Sequence, residues 1–446
     1  MDFVSYLRQY VACMSISSDD AMNDEMVRAR NFLLKFFHDH GISAKEVCCG
    51  GHGAVFAHTE YNESLPTILI YGHYDVQPVD NIDDWICHPF SLKEYNGRLY
   101  GRGASDNKGS HLAILCAIDD ILSQKKSLNV NVEFLIEGEE EIGSATMPDI
   151  LRSLCDEIHA DFALVADTWS LNEENIVITT GLRGLVGCEV ELIGHDHDLH
   201  SGYGGCIFNP ICALANICSS LHSYDGRVAI EHFYDDVKFP TEFERQQISR
   251  LPLSDDDIAN RLGVHCLQFP DNRYYFAETM RFLPSLEFHG ISGGFDGSGI
   301  KTIIPGRASF KMSCRIVPDQ SCKKIQELLE GHLRAHCPDG MKMNIKFEQS
   351  TNPYHIDVNN ISNGVLKRAF SLSEYLIDDC FGNPPVYLRE GGSIGIITMF
   401  HDILGIDSLL IGLSMTEDNI HSVNESISIK MIGRAREFFK RFLLEF

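Results

Sequence analysis

Apolar positions along this chain recur at two spacings, near two and near 3.6 residues, which assign strands and amphipathic helices. Helical spacing runs through residues 2–15 and again from about Ser18 to His40, with Ser17, Ser18 and Asp19 as candidate caps. Val55–His58 and Thr67–Tyr71 alternate or run apolar, as strands do. Gly109–Lys125 reads as a helix, apolar at Leu112, Ile114, Leu115, Ile118 and Leu122. Asn129–Ile136 reads as a strand that ends at the acidic run Glu137–Glu141. A helix over Ile150–His159 and a buried strand over Ala163–Ala166 follow. This β-α-β-α-β order predicts an α/β sheet with ligands at the carboxyl ends of its strands.

The pattern changes after Gly181-Leu-Arg-Gly184. Leu185–Ile193 reads as a two-faced strand and Asn209–Ser223 as a helix. Tyr234–Asp257 is polar and acidic, with little strand character. Ser298–Val317 and Met341–Glu348 read as strands flanking a helix over Cys322–His336. From Leu388 the apolar α/β style returns, with Ile394–His401, a strand over Ser408–Gly412 and a helix over Ser426–Glu445. The expected architecture is therefore a discontinuous α/β domain, residues 1–182 and 387–446, with an α+β domain inserted at 183–386. The chain's 446 residues agree with this, being too many for one compact core.

Hydrophobic residues at 44% and charged residues at 22% place the chain among ordinary globular proteins. A formal net charge of −26 argues against a nucleic-acid surface, which needs a basic stripe, and against an anionic membrane as partner. The 15 cysteines contain no C-x-x-C pair and many sit in apolar runs, so they read as reduced thiols of a cytoplasmic protein. The N-terminus lacks the basic and apolar regions of a signal peptide. No apolar run approaches the ~20 residues of a membrane span.

Chemistry concentrates in five segments. Ile70-Tyr-Gly-His73-Tyr-Asp75-Val-Gln-Pro78 ends a strand by presenting an imidazole with a carboxylate two residues away, suited to orient it. The others are Gly101-Arg-Gly-Ala-Ser-Asp106-Asn107-Lys-Gly109, Glu137-Gly-Glu139-Glu140-Glu141-Ile-Gly-Ser144, Val165-Ala-Asp167 and Ile420-His421-Ser422. Hydrolysis of an unactivated amide needs a nucleophile and a stabilised oxyanion, and two metal ions ~3.5–4 Å apart supply both. His73, Asp106, Asp167, His421 and a glutamate of the 139–141 run make a suitable ligand set, with Asp106 as bridge because its Gly-rich turn lets backbone approach closely. With no cysteine in the set, zinc fits best, and manganese and cobalt are the alternatives. One further glutamate of the run serves as general base, and spacing alone does not choose which.

Two other readings are weaker. Gly194-His195-Asp-His197-Asp-Leu-His200 has metal-ligand residues but lies outside the five-ligand set, so His195 and His197 read as surface loop residues. The Gly101–Gly109 loop lacks the phosphate-binding spacing G-x-x-x-x-G-K-[ST].

In order and over nearly the whole chain, these segments resemble the co-catalytic di-zinc metallopeptidases that include carnosinase, cytosolic nonspecific dipeptidase, aminoacylase, acetylornithine deacetylase and succinyl-diaminopimelate desuccinylase. The carnosinase-like dipeptidase branch is most similar. The resemblance rests on Gly72–Pro78, Trp85–Phe90, Leu99–Gly103, Leu199–Gly205, Lys301–Pro305, Arg315–Pro318 and Arg389–Ser393. It implies that Glu140 is the general base, that Glu141 is the ligand opposite Asp167, and that Asp75 orients His73. It further implies a cis peptide between Asp106 and Asn107, and a lid domain through which a homodimer forms. His200 would then serve the partner subunit's oxyanion, while Thr302, Arg315 and Ser393 hold the substrate carboxylate.

Three places in the chain depart from that branch. Asn107 stands where many members carry a second aspartate, a change expected to be harmless because that residue contributes mainly its backbone. Trp169 replaces a tyrosine, and Asn359-Asn360 occupies a region with a substrate-contacting histidine. The expected function is cleavage of dipeptides or similar short peptides by a water that two metals activate. The alternatives are a deacylase for N-acyl amino acids or related small metabolites, and an inactive scaffold or binding protein of the same fold. An intact ligand set with Glu140 argues against the last.

Overall fold

The computed structural model describes residues 2–124, 126–252, 254–269, 271 and 273–446. The chain divides into two compact units, one of residues 1–180, 356–388 and 395–446, the other of 181–355 and 389–394. Residues 356–386, assigned from sequence to the inserted domain, thus belong to the first unit. Their helix Gly364–Phe381 explains this, because it packs on the C-terminal helix Ile429–Glu445, with the Phe381 and Phe438 rings 6.2 Å apart.

The first unit is built on a mixed sheet. Seven strands follow one another in the order Ser43–Val47, Ala54–His58, Asn131–Glu137, Thr67–His73, Phe162–Trp169, Ser408–Ser414 and Val177–Leu182. The four from Asn131–Glu137 to Ser408–Ser414 are parallel, and their neighbours on either side run antiparallel. Parallel strands covered on both faces need continuous apolar runs rather than alternation. Thr67–His73 shows this, being buried at every residue.

Helix Lys108–Ser123 packs against Phe3–Val11 and Ile429–Glu445. The C-terminal helix buries Met431, Ile432, Ala435, Phe438, Phe439 and Phe442, an i, i+3, i+4, i+7 stripe. Each such aromatic side chain contributes ~1.5–3 kcal/mol by leaving water. Ser428 starts that helix by accepting a hydrogen bond from the Met431 N–H at 3.2 Å. Lys125, the expected end of the helix that runs to Ser123, lies outside the described residues.

The second unit contains a four-stranded antiparallel sheet in the order Ser285–Gly293, Arg307–Ile316, Gly184–Ile193 and Lys342–Thr351. Burial alternates residue by residue along Gly184–Ile193, so one face is core and the other is wetter. Val186, Val190, Leu192, Phe310 and Met312 on the inner face pack with Leu214 and Ile217 of helix Pro210–Ser220 and with Ile325 and Leu329 of helix Cys322–Ala335. The strand expected over 298–317 is split into Ile303–Ile304 and Arg307–Ile316. Pro305, which has no N–H to donate, and Gly306 stand at the break.

Among the described residues, no helix is long and apolar enough to cross a membrane. All 15 cysteines are free.

Candidate metal centre

All five expected ligands lie in the first unit, four of them near or beyond the carboxyl ends of its parallel strands. His73 is the last residue of Thr67–His73, Glu141 follows Asn131–Glu137, Asp167 lies near the end of Phe162–Trp169, and His421 follows Ser408–Ser414. Asp106 comes from the glycine loop before helix Lys108–Ser123. Two glycines shape that loop. Gly103 has φ of +81°, and a Cβ on Gly109 would stand 2.0 Å from the Ala104 carbonyl oxygen. The Asp106–Asn107 peptide bond is cis.

Asp106 sits between two groups of donors. Its Oδ1 is 3.1 Å from His73 Nε2, which is itself 3.7 Å from Asp167 Oδ2. Its Oδ2 is 2.8 Å from His421 Nε2, which is 3.1 Å from Glu141 Oε2. His73, Asp106 and Asp167 form one group able to hold a cation, and Asp106, Glu141 and His421 form another, with the ligand atoms of each within 4.8 Å of one another. His421 has φ of +60°, in the left-handed region where histidine is enriched among non-glycine residues. No comparable group forms around His195 and His197 among the described residues, where His195 Nδ1 instead lies 2.7 Å from the His197 carbonyl oxygen.

Electrostatics agree with a pair of cations here. Burial pushes the Asp167 carboxyl up to about 7; His73 opposes the shift, and Asp106 and Glu141 add to it. Burial also raises Glu140 well above the ordinary carboxylate range, again opposed by His73 and reinforced by Asp167, Asp106 and Glu141. Four clustered carboxylates with two imidazoles are short of positive charge, which divalent cations would supply. The donors are carboxylate oxygen and imidazole nitrogen without thiolate, a set that fits zinc, manganese or cobalt.

The three glutamates separate by their partners. Glu139 is buried, and its carboxylate accepts from the His52 N–H at 2.8 Å and from the Thr146 N–H and hydroxyl at 3.1 and 2.7 Å, so it is committed to loop structure. Glu141 faces His421, leaving Glu140 among the charged groups without a ligand's place. Asp75, fully buried, lies with Oδ1 3.4 Å from His73 Nδ1. Its Oδ2 accepts from the Glu141 N–H at 3.1 Å, tying two ligand segments together.

Two neighbours hold ligands through side-chain amides, Gln77, which the sequence pattern does not single out, and Asn107, expected to contribute mainly its backbone. Gln77 Nε2 donates to Glu141 Oε2 at 2.8 Å. Asn107 does more than offer its backbone. It occupies a helix N-cap position yet makes no side-chain capping bond, and its Nδ2 instead donates to Asp167 Oδ1 at 2.8 Å and to the Ala166 carbonyl at 3.2 Å. An ionised aspartate there could not donate. The Gln77 signal was its place beside His73 and Asp75; for Asn107 it was the amide in place of an acid.

The remaining expected residues lie in the second unit, in two pairs. His200 and Thr302 are exposed and close together, because Leu199–His200 pairs with Ile303–Ile304 and the Ser201 N–H donates to the Thr302 carbonyl at 3.0 Å. Arg315 Nη1 donates to Ser393 Oγ at 2.9 Å, and that hydroxyl donates to the Arg183 carbonyl. Arg315 makes no ion pair with Asp319, which is held by Lys238 at 2.7 Å. Trp169 Nε1 donates to Thr416 Oγ1 at 3.3 Å, and Asn359 and Asn360 are exposed in a turn whose backbone N–H groups donate to Asp357.

Peptidase family M20/M25/M40 matches this chain over residues 69–445. The chain belongs to that family. It is 32% identical to the human Beta-Ala-His dipeptidase over 85% of its own length and 74% of that protein. It is 28% identical to the Cys-Gly metallodipeptidase dug1 of Schizosaccharomyces pombe, over 100% and 95% of the two chains. The crystal structure of an M20 family metallo-carboxypeptidase from Sulfolobus solfataricus superposes with a TM-score of 0.87 at 32% identity, covering 99% of this chain and 98% of that one. Membership of the M20 family bears out the resemblance read from the motifs, together with the α/β fold class and the metallopeptidase class.

Proposed function

We propose that this protein is a two-metal dipeptidase that hydrolyses the amide bond of dipeptides or similar short peptides bearing a free carboxyl terminus. The observation that carries the reading is Asp106, whose two carboxylate oxygens face two separate sets of donors. His73 and Asp167 would hold one ion, Glu141 and His421 the other, and Asp106 both. Bound there, divalent ions acidify water and polarise a carbonyl oxygen. Glu140 is the base: its carboxylate takes the proton from the attacking water and delivers it to the departing amine nitrogen. Asp75 fixes the orientation of His73. Arg315, assisted by Ser393, binds the substrate carboxylate, and Thr302 adds its donor from beside His200. Zinc is the native metal in this reading, and the cytoplasm its compartment, in keeping with 15 free thiols.

The deciding experiment strips the protein of metal with a chelator, then restores zinc, manganese or cobalt. Turnover is assayed on a panel of dipeptides and a panel of N-acyl amino acids. Activity should vanish with the metal and return with two equivalents, on dipeptides first. Preference for the acyl panel would move the assignment to a deacylase. No turnover on either panel at full metal occupancy would leave the fold without the reaction.

The same reading makes the protein a homodimer. Tyr203, Phe208 and Ile291 of the second unit are 59%, 57% and 66% exposed, with Ile207, Ile211 and Phe295 also open to solvent. Ile211 lies against Gly293 and Gly294, between Ile291 and Phe295 in sequence, and a contiguous apolar patch there would serve as an association surface. In this dimer His200 acts on the partner subunit's substrate. Mixed His200→Ala and Glu140→Gln subunits should therefore recover part of the activity that each variant alone has lost. Subunits that exchange and remain inactive would show that His200 does not act in trans.

A further inference from the structure

One buried carboxylate outside the ligand set grips the loop that carries the bridging ligand. Glu425 and Arg102 are each 1% exposed. Glu425 Oε1 accepts from the backbone N–H groups of Ser105 and Asp106, both at 3.0 Å. Its Oε2 accepts from Arg102 Nη1 at 2.8 Å and from the Gly103 N–H at 2.9 Å. Its backbone carbonyl takes a further bond from the Gly101 N–H at 2.9 Å. An ionised carboxylate has about four acceptor sites, and here all are filled, so Glu425 has none left for a cation. It stands four residues after His421, and the next three residues, Ser426–Ser428, pair with Arg98–Tyr100. One side chain therefore couples the segment that bears His421 to the loop that bears Asp106.

We propose that Glu425 is a positioning residue of the metal centre, holding Asp106 and His421 at the spacing that lets one carboxylate serve both donor groups. This rests on the two-metal reading above. The competing role is a plain structural ion pair with Arg102, whose guanidinium also lies 5.3 Å from the Trp85 ring and donates to the Pro78 carbonyl at 3.1 Å. The two roles differ in what charge balance can repair. Glu425→Gln keeps the shape, but its amide nitrogen cannot accept, so two donors lose their acceptor and Arg102 is left buried and unpaired. In R102M/E425Q the buried charges are both gone, yet the loop N–H groups still lack their second acceptor oxygen.

The test titrates metal-free wild type, E425Q and R102M/E425Q with zinc by calorimetry, alongside the melting temperature of each metal-free protein. Groups that orient metal ligands are worth ~10–100-fold in metal affinity. At least a tenfold loss is expected in both variants, including the double variant, whatever its melting temperature. Should E425Q fail to fold, the double variant carries the same measurement. Wild-type affinity in folded R102M/E425Q overturns the proposal, because the pair would then act on stability alone. A wild-type protein that binds no two ions overturns the metal-centre reading and this one with it, whereas two ions bound equally by all three proteins overturns only this one.

Discussion

Glu140→Gln is expected to lower kcat for a dipeptide by ~10²–10⁴-fold, the usual worth of a positioned general acid–base group. The substitution keeps side-chain length and planarity and removes only the ability to take and return a proton. Neither donor group around Asp106 includes Glu140, so both ions should still bind. KM should change little, because the lost interaction belongs to the transition state rather than to substrate binding. Metal content measured on the same sample separates this from simple loss of the ions. A kcat near wild type at full occupancy would take the base role away from Glu140 and return the question to Glu139, the other glutamate of the run outside both donor groups. Glu139 is a weak substitute, because its two oxygens already accept from His52 and Thr146.

Much of the donor set was legible in the sequence because local pattern marks it, whereas the choice of Glu141 within its run and the place of His421 rested on the family resemblance. His73 ends an apolar run, Glu141 and Asp167 lie at or just past strand ends, and Asp106 sits among glycines. Glu425 was not legible, because its bonds reach residues more than 300 positions away and no periodicity records them. Two other omissions did have signals. Helix Gly364–Phe381 buries Leu366, Ala369, Phe370, Ser373, Leu376 and Ile377, a regular helical stripe, and reading it would have moved the unit boundary. Within the polar stretch from 234 to 257 the structure contains helix Glu242–Ile248 and the start of Asp255–Leu262, neither with a buried residue. Apolar spacing could not find them. Their capping boxes, Thr241 with Glu244 and Ser254 with Asp257, were written in the sequence as polar residues three apart.

In the proposed reading, substrate choice turns on Arg315. A dipeptide with a free carboxyl terminus should show kcat/KM at least tenfold above that of its C-terminal amide. The guanidinium is partly buried, and burial lowers its pKa from the usual arginine value. Among the described residues it has a hydroxyl partner, Ser393, and no carboxylate. A desolvated cation without a counter-ion favours an anionic ligand, and guanidinium pairs with carboxylate through two parallel bonds. Hydrogen bonds to charged groups contribute ~1.5–3 kcal/mol, which converts to between tenfold and somewhat over a hundredfold in rate. The amide cannot provide the charge, so the arginine would stay uncompensated in its complex. Arg315→Ala should lower kcat/KM for the free acid and leave that for the amide nearly unchanged, closing the gap between them. Equal values for acid and amide in the wild type would remove Arg315 from substrate recognition. In that case its bond to Ser393 would serve only to fix the 389–394 segment, which Arg183 also holds through the Gly391 carbonyl at 2.7 Å.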